Sequence, residues 1–329
     1  MKSDAAAVAA RYGRFAVDDA RGRSALYEEW ATGVATDAGV SGILARIPET
    51  HRQPPLVFAV TRLLGAPETG FAEWAAWLDD HADAVVDEAS RRSIQTNEPL
   101  RCAALLPALS TIRGPLAMLE IGASAGLCLY PDRYSYRYDG GPDLDPSDGE
   151  STVVLRSALR GRPRIALPDI VWRAGIDLEP LDAADPADRR FLSTLVWPGE
   201  TGRAERIGAA LDIVAADPPL LVRGDGSDPD TVRAAAALAP EGATLVVTTP
   251  GVLPHIPRAG RERLIAAVRE LDAVWISIDP PGLHDAWHPP VDPSTWGGFV
   301  LGRDAVPLAA VDPLGAFVEW RAGDRPASP

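Results

Sequence analysis

Three observations on this 329-residue chain predict an α/β fold, a doubly wound sheet of seven strands behind an all-helical cap. The first 113 residues place apolar side chains at helical spacing only. From residue 114, short apolar runs alternate with longer Ala/Arg-rich amphipathic segments, the rhythm of βα units. The chain then closes on two apolar runs too near each other for a crossover, which suits an antiparallel pair.

Taken in order, Val8, Tyr12 and Phe15 fall on one helical face, then Leu26, Trp30 and Val34. The run 56–64 follows Pro54-Pro55, and Phe71, Trp74 and Leu78 come next at i, i+3, i+7, with Trp74 and Trp77 expected in the core of the cap. About five helices are expected before residue 113. The last opens at Asn97-Glu98-Pro99, a capping residue with an acid and a proline in the first turn, and stops at Gly114-Pro115. The runs 116–121, 170–176, 220–223, 244–248 and 274–278 read as parallel strands. Between them, 125–129, 187–195, 201–215, 230–238 and 258–271 read as helices. The terminal runs 299–302 and 316–320 complete the seven strands as an antiparallel hairpin. Residues 130–168 break the rhythm, because they hold four of the six tyrosines: Tyr130, Tyr134, Tyr136 and Tyr138. The last three alternate, so an extended segment would carry their rings on one face. The segment is expected to form an inserted hairpin or flap that lines a substrate pocket or covers a sheet edge. Two domains are expected: a helical cap over 1–113 and a sheet domain over 114–329 with this insertion.

The formal charge of −14 repels phosphate backbones and anionic headgroups, which argues against nucleic acid and membrane surfaces and favours a small neutral or cationic ligand. Only Lys2 is lysine among the 32 basic residues, a coding bias and not an arginine recognition code. Cys102 and Cys128 sit in apolar runs and read as reduced core residues. With no apolar leader at the N-terminus and no stretch of ~18 apolar residues, a cytoplasmic protein is expected. His284 and His288 have the spacing of a helical metal pair, but Pro281-Gly282 and Pro289-Pro290 flank them, so they read as loop histidines and no metal is expected.

The chemistry concentrates at Leu116 through Leu127. An apolar strand ends in Glu120, and Gly122-Ala123-Ser124-Ala125-Gly126 then makes a turn of small residues that lets a ligand approach the backbone. Asp177 closes the second strand, where a carboxylate accepts the two ribose hydroxyls of an adenosine. Asp225, after the third strand, suits an adenine amino group. His255, shortly after the fourth strand, is a candidate base or a solvated loop histidine.

Glu120-Ile121-Gly122-Ala123-Ser124-Ala125-Gly126 resembles the first motif of the S-adenosylmethionine-dependent methyltransferase superfamily, with Ser124 in place of the middle glycine. The resemblance implies a Rossmann-like sheet and a cofactor, S-adenosyl-L-methionine, held by Glu120, Gly122, Ser124, Gly126, Asp177, Leu178, Asp225 and Thr248. It also places Thr248-Thr249-Pro250 beside the methyl group. Gln95 through Arg101, the turn with Asp132-Arg133-Tyr134, and Gly175 through Leu178 resemble more closely an uncharacterised bacterial family, domain of unknown function 2332, over nearly the whole chain. The expected reaction is methyl transfer to a small molecule. Asn97, Arg101, Tyr130, Tyr134 and His284 are the substrate-side candidates, and His255 and Tyr134 the candidate catalytic groups. Arg101 would pair the methionine carboxylate, or else serve with Asn97 and Glu98 as cap and surface charge. Two other readings use the same residues. One is a non-catalytic binder of a metabolite or protein. The other is a serine hydrolase whose Gly-x-Ser-x-Gly elbow presents Ser124, with Asp225 and His255 or His284 as partners.

Overall fold

Side chains that accept a free backbone N–H open several of the helices in the computed structural model, which describes residues 2–96 and 98–322. Helices α1 (Lys2–Phe15) and α2 (Ala25–Thr36) are followed by α3 (Ala38–Leu44), α4 (Pro54–Leu63), α5 (Phe71–Asp80) and α6 (Ala82–Arg91). Ser24 caps α2 by accepting the Tyr27 N–H, and Asp37 caps α3 by accepting those of Gly39 and Val40. Pro54 opens α4, where a missing N–H costs nothing. These helices bury an aromatic cluster in which Trp30 stacks on Trp74 at 5.0 Å and Phe58 meets Tyr12, Tyr27 and Trp30 edge-on or tilted. Trp77 is only half-buried and stacks on His81.

The chain forms two compact units, Met1–Thr96 with Asp185–Gly208, and Asn97–Ala184 with Ala209–Pro329. The division follows packing and not the expected boundary near residue 113, because α7 (Arg101–Leu109) belongs with the sheet and α8 (Pro186–Thr194) with the first six helices. Trp197, just after α8, packs on Phe15 and Tyr27, and Arg62 donates to the carbonyls of Thr194 and Val196.

The second unit is built on one eleven-stranded sheet, not seven strands. Its strands are β1 (Pro115–Ile121), β2 (Ser135–Asp139), β3 (Asp143–Leu144), β4 (Val154–Arg160), β5 (Asp169–Asp177), β6 (Leu220–Arg223), β7 (Thr244–Pro250), β8 (Val274–Asp279), β9 (Phe299–Arg303), β10 (Val306–Val311) and β11 (Phe317–Trp320). The order is β3-β2-β4-β11-β10-β9-β8-β7-β1-β5-β6, and the five adjacent strands from β8 to β6 are parallel. After β1 the chain makes β2, β3 and β4 at the far end of the sheet; within the five parallel strands it then adds β5 and β6 on one side of β1 and β7 and β8 on the other, so the direction of winding reverses between β1 and β7. Three further helices complete the chain: α9 (Arg203–Ala216), α10 (Pro229–Ala236) and α11 (Arg258–Glu270).

Two expectations are corrected here. The run at 299 pairs with β10, which sequence reading missed, and not with β11, so the chain's end is a three-strand meander. The tyrosine-bearing segment does contain a small hairpin, β2 with β3, but it does not stand at the sheet mouth: β2 and β4 pair in parallel, and β11 joins them to the sheet's far side. One face of the central strands, through Leu119, Ile121, Val247 and Trp275, packs on α10 and α11. The other face carries Met118, Glu120 and Thr248, and α7 lies against β4, β8, β9 and β11. Within α7, Pro107 has no N–H for the carbonyl of Ala103 four residues earlier, and the Tyr138 hydroxyl donates to that carbonyl at 2.7 Å. Among the described residues, no helix is long and apolar enough to cross a membrane.

Candidate functional site

The turn after β1 takes left-handed backbone at Gly122, Ser124 and Gly126, the last two being φ 52° and 79°. The chain then makes one 3₁₀ turn, Leu127–Leu129, and not the expected helix over 125–129, so no helix N-terminus faces a ligand here. Residues 123–130 are all buried. Much of the turn's smallness serves internal packing. A Cβ on Gly122 would stand 2.5 Å from Val252 Cγ2, one on Gly126 would stand 3.0 Å from Pro219, and one on Gly175 would stand 2.3 Å from the Cβ of Ala123. Ser124 is 3% exposed. A nucleophile elbow presents its serine on a strained turn at the surface ahead of a long helix; Ser124 has the left-handed backbone but is buried and is followed by a single 3₁₀ turn, which speaks against the hydrolase reading.

Asp177, at the carboxyl end of β5, points at this turn as expected. Its Oδ2 accepts the Ser124 N–H and its Oδ1 the Glu179 N–H, each at 2.8 Å. It is partly exposed, and each oxygen keeps a second lone pair. Beside it Leu178 is 67% exposed, a large apolar side chain turned to solvent. Asp225, following β6, is also exposed and closes a local turn by accepting the Ser227 N–H. Acid, apolar side chain and second acid therefore stand on the carboxyl ends of two paired strands.

The reversal of winding between β1 and β7 is where an open sheet of this kind leaves a crevice. Glu120 of β1 is in register with Thr248 of β7 there, so their side chains leave the same face on neighbouring strands. Both are buried, at 4% and 0% exposure, and Glu120 Oε2 and Thr248 Oγ1 have no hydrogen-bond partner. Buried polar atoms in native folds are nearly always satisfied, so two orphans side by side mark a place for a polar partner. Burial pushes the Glu120 carboxyl well above the usual range, helped by Cys128 and Asp177 and opposed by Arg101.

Arg101, in the first turn of α7, brings a cation whose charge both Glu120 and His255 sense. Its Nε donates to the Pro313 carbonyl at 2.9 Å, and its Nη2 lies 3.1 Å from where a Cβ on Gly251 would stand. Glu98 is buried and caps the same turn through the Leu100 N–H. His255 ends a 3₁₀ turn, Leu253–His255, and its pKa is lowered by desolvation and by the Arg101 charge. The fold thus gathers Glu98, Arg101, Glu120, Thr248 and His255, while Asn97 lies outside the described residues.

The tyrosines do not join them. Tyr134 and Tyr136 donate to the carbonyls of Leu127 and Pro131 at 2.7 and 2.6 Å, and Tyr130 to that of Asp217. All three are fully buried, burial drives the Tyr134 hydroxyl far above its usual pKa, and Tyr130 lines a separate pocket with Arg133, Glu150 and Asp217. His284 is also elsewhere. Its ring contacts Trp287, its Nδ1 accepts the Ala286 N–H, and its Nε2 is 3.6 Å from Asp279. Asp279 shares a strand face with Trp275, four residues earlier, and Ile278 pairs with Pro250, which puts Asp279 on the face opposite Glu120. Sequence reading missed Gly251 and Val252, which seat Arg101 and fill the space over Gly122. The Pro-Gly break straight after β7 was the available signal.

A family model described as an uncharacterized protein conserved in bacteria (DUF2332) matches residues 9–320. No curated protein and no solved structure matches the chain.

Proposed function

The chain belongs to that bacterial family, and on this premise we propose that it holds S-adenosylmethionine at the carboxyl ends of β1, β5, β6 and β7 and passes the methyl group to a small neutral or cationic molecule. The observation that carries this reading is the pair of orphaned polar atoms, Glu120 Oε2 and Thr248 Oγ1, in register at the point where the winding reverses. The residues fit such a ligand in three places. Asp177 keeps lone pairs for ribose hydroxyls, Leu178 offers an exposed apolar surface to an adenine ring, and Asp225 an acceptor for its amino group. Arg101 supplies the cation for a carboxylate.

When bound, the cofactor supplies an electrophilic methyl on a sulfonium, which leaves as a neutral thioether. The protein's share is then largely positioning and exclusion of water. Thr248 and protonated Glu120 offer hydroxyl donors in a dry setting, where such bonds are strongest. His255, with its pKa lowered, is neutral at pH 7 and able to take a proton from an acceptor that must lose one. A net charge of −14 favours acceptors that are not anions.

A second reading, a binder without catalysis, is favoured by one feature: Val252 fills the space above Gly122, where the methyltransferase turn would meet its ligand. Calorimetry with S-adenosylmethionine and with its demethylated product tests the ligand. The expected result is micromolar binding that weakens at least about tenfold, roughly 1.4 kcal/mol, in Asp177→Asn. Absence of heat with either compound rejects the ligand. Binding without turnover of any acceptor amine or hydroxyl supports the second reading.

A further inference from the structure

Two thiols stand beside this site with no part in the proposed chemistry. Cys102 lies in the first turn of α7 and Cys128 in the 3₁₀ turn after β1, 26 residues apart in sequence. The Cys102 Sγ donates to the carbonyl of Cys128 at 3.6 Å, and the Cys128 Sγ donates to the carbonyl of Glu98 at 3.5 Å. Each sulfur therefore reaches across to the other's segment, and the ionisation of each thiol is felt by the other. Two buried free thiols on segments that interlock in this way need little movement to close a bond.

We propose that Cys102 and Cys128 are a redox modification site, joined by a reversible disulfide that ties the first turn of α7 to the turn after β1. The oxidant is a small peroxide. The Cys128 thiolate attacks one peroxide oxygen and releases water after protonation, leaving a sulfenic acid. The Cys102 sulfur then displaces the second oxygen as water, so two S–H bonds are lost, one S–S bond forms, and two electrons leave the protein. Cys128 takes the first role for two reasons. It is 5% exposed where Cys102 is fully buried. Its pKa is lowered by the Cys102 thiol and by Arg101, whereas burial raises that of Cys102. The step removes both S–H donors, and with them the contacts that Cys128 makes to Glu98 and Cys102 makes to Cys128. Arg101, one residue from Cys102, moves with them. The modification does not depend on which ligand the crevice takes.

The test is peptide mapping without reductant after exposing the folded full chain to hydrogen peroxide. A cross-linked peptide holding both cysteines is expected, with the intact mass lower by about 2 Da and restored by dithiothreitol. The cross-link should form at least about tenfold faster in the folded chain than in urea, because the fold holds the sulfurs together. Cys102→Ser and Cys128→Ser should each abolish the mass loss while keeping the fold. Recovery of both cysteines as free thiols, oxygenation of one without a cross-link, or equal rates folded and unfolded overturns the proposal.

Discussion

Gly122 is held in the left-handed region by its turn and pressed by Val252, so an added methyl meets two separate penalties. Gly122→Ala should cost roughly 2–3 kcal/mol in urea unfolding, part from backbone strain and part from the clash. Val252→Ala should return only the clash, giving a coupling of about 1 kcal/mol in the double-mutant cycle. A cycle with no coupling would show that Val252 does not press on the turn. Glu120 makes a prediction of the same scale. Its folded pKa lies above the unfolded value, so the folded chain holds a proton that the unfolded chain has released. The stability it contributes is complete below the ordinary carboxylate range and declines as pH rises toward the folded pKa. Glu120→Gln, which cannot ionise, should match the parent at low pH and exceed it increasingly toward neutrality, by up to about 1.4 kcal/mol per pH unit across that window. Parallel stability curves for the two proteins would refute a protonated Glu120.

Helix α7 survives an internal proline because a strand far along the chain replaces the bond that Pro107 withholds. Tyr138→Phe leaves the Ala103 carbonyl buried without that donor and should cost about 1–3 kcal/mol. Pro107→Ala in that background should recover part of the loss by restoring the helical N–H, and a double mutant no more stable than Tyr138→Phe alone would reject this account. Elements of this kind mark the limit of what the chain discloses locally. Strands β1, β5, β6, β7 and β8 were legible because each is an apolar run bounded by turn residues, and Asp177 was legible because it ends one. Strand β10 was not, since Val306-Pro307-Leu308-Ala309-Ala310 mixes a proline and small residues that carry no strand signal. The parallel pairing of β4 with β11 joins residues about 160 apart and leaves no local periodicity to read. At the site, Glu120, Arg101 and Thr248 could be named from motifs. Their meeting with His255 could not, and neither could the burial of the tyrosines and Ser124.

At the scale of the molecule, the helical unit is assembled from two stretches of chain, and the second completes the first. Phe15 and Tyr27 pack on Trp197, and Arg62 finds its carbonyl partners at Thr194 and Val196. A fragment ending at residue 113 should therefore retain helical far-UV circular dichroism but lose the near-UV signal of its ordered aromatics. Joining 1–96 to 185–208 through a short flexible linker should restore that signal. A fragment 1–113 with a native-like near-UV spectrum would contradict this dependence. Vectorial synthesis gives the arrangement a further meaning. While a ribosome adds the 88 residues separating the two stretches, at about 5–20 per second, the aromatic surface around Phe15, Tyr27 and Phe58 waits incomplete for at least some 4–18 s. During that interval the nascent helices present greasy surface to the cell, and a chaperone able to shield it would raise the yield of native protein.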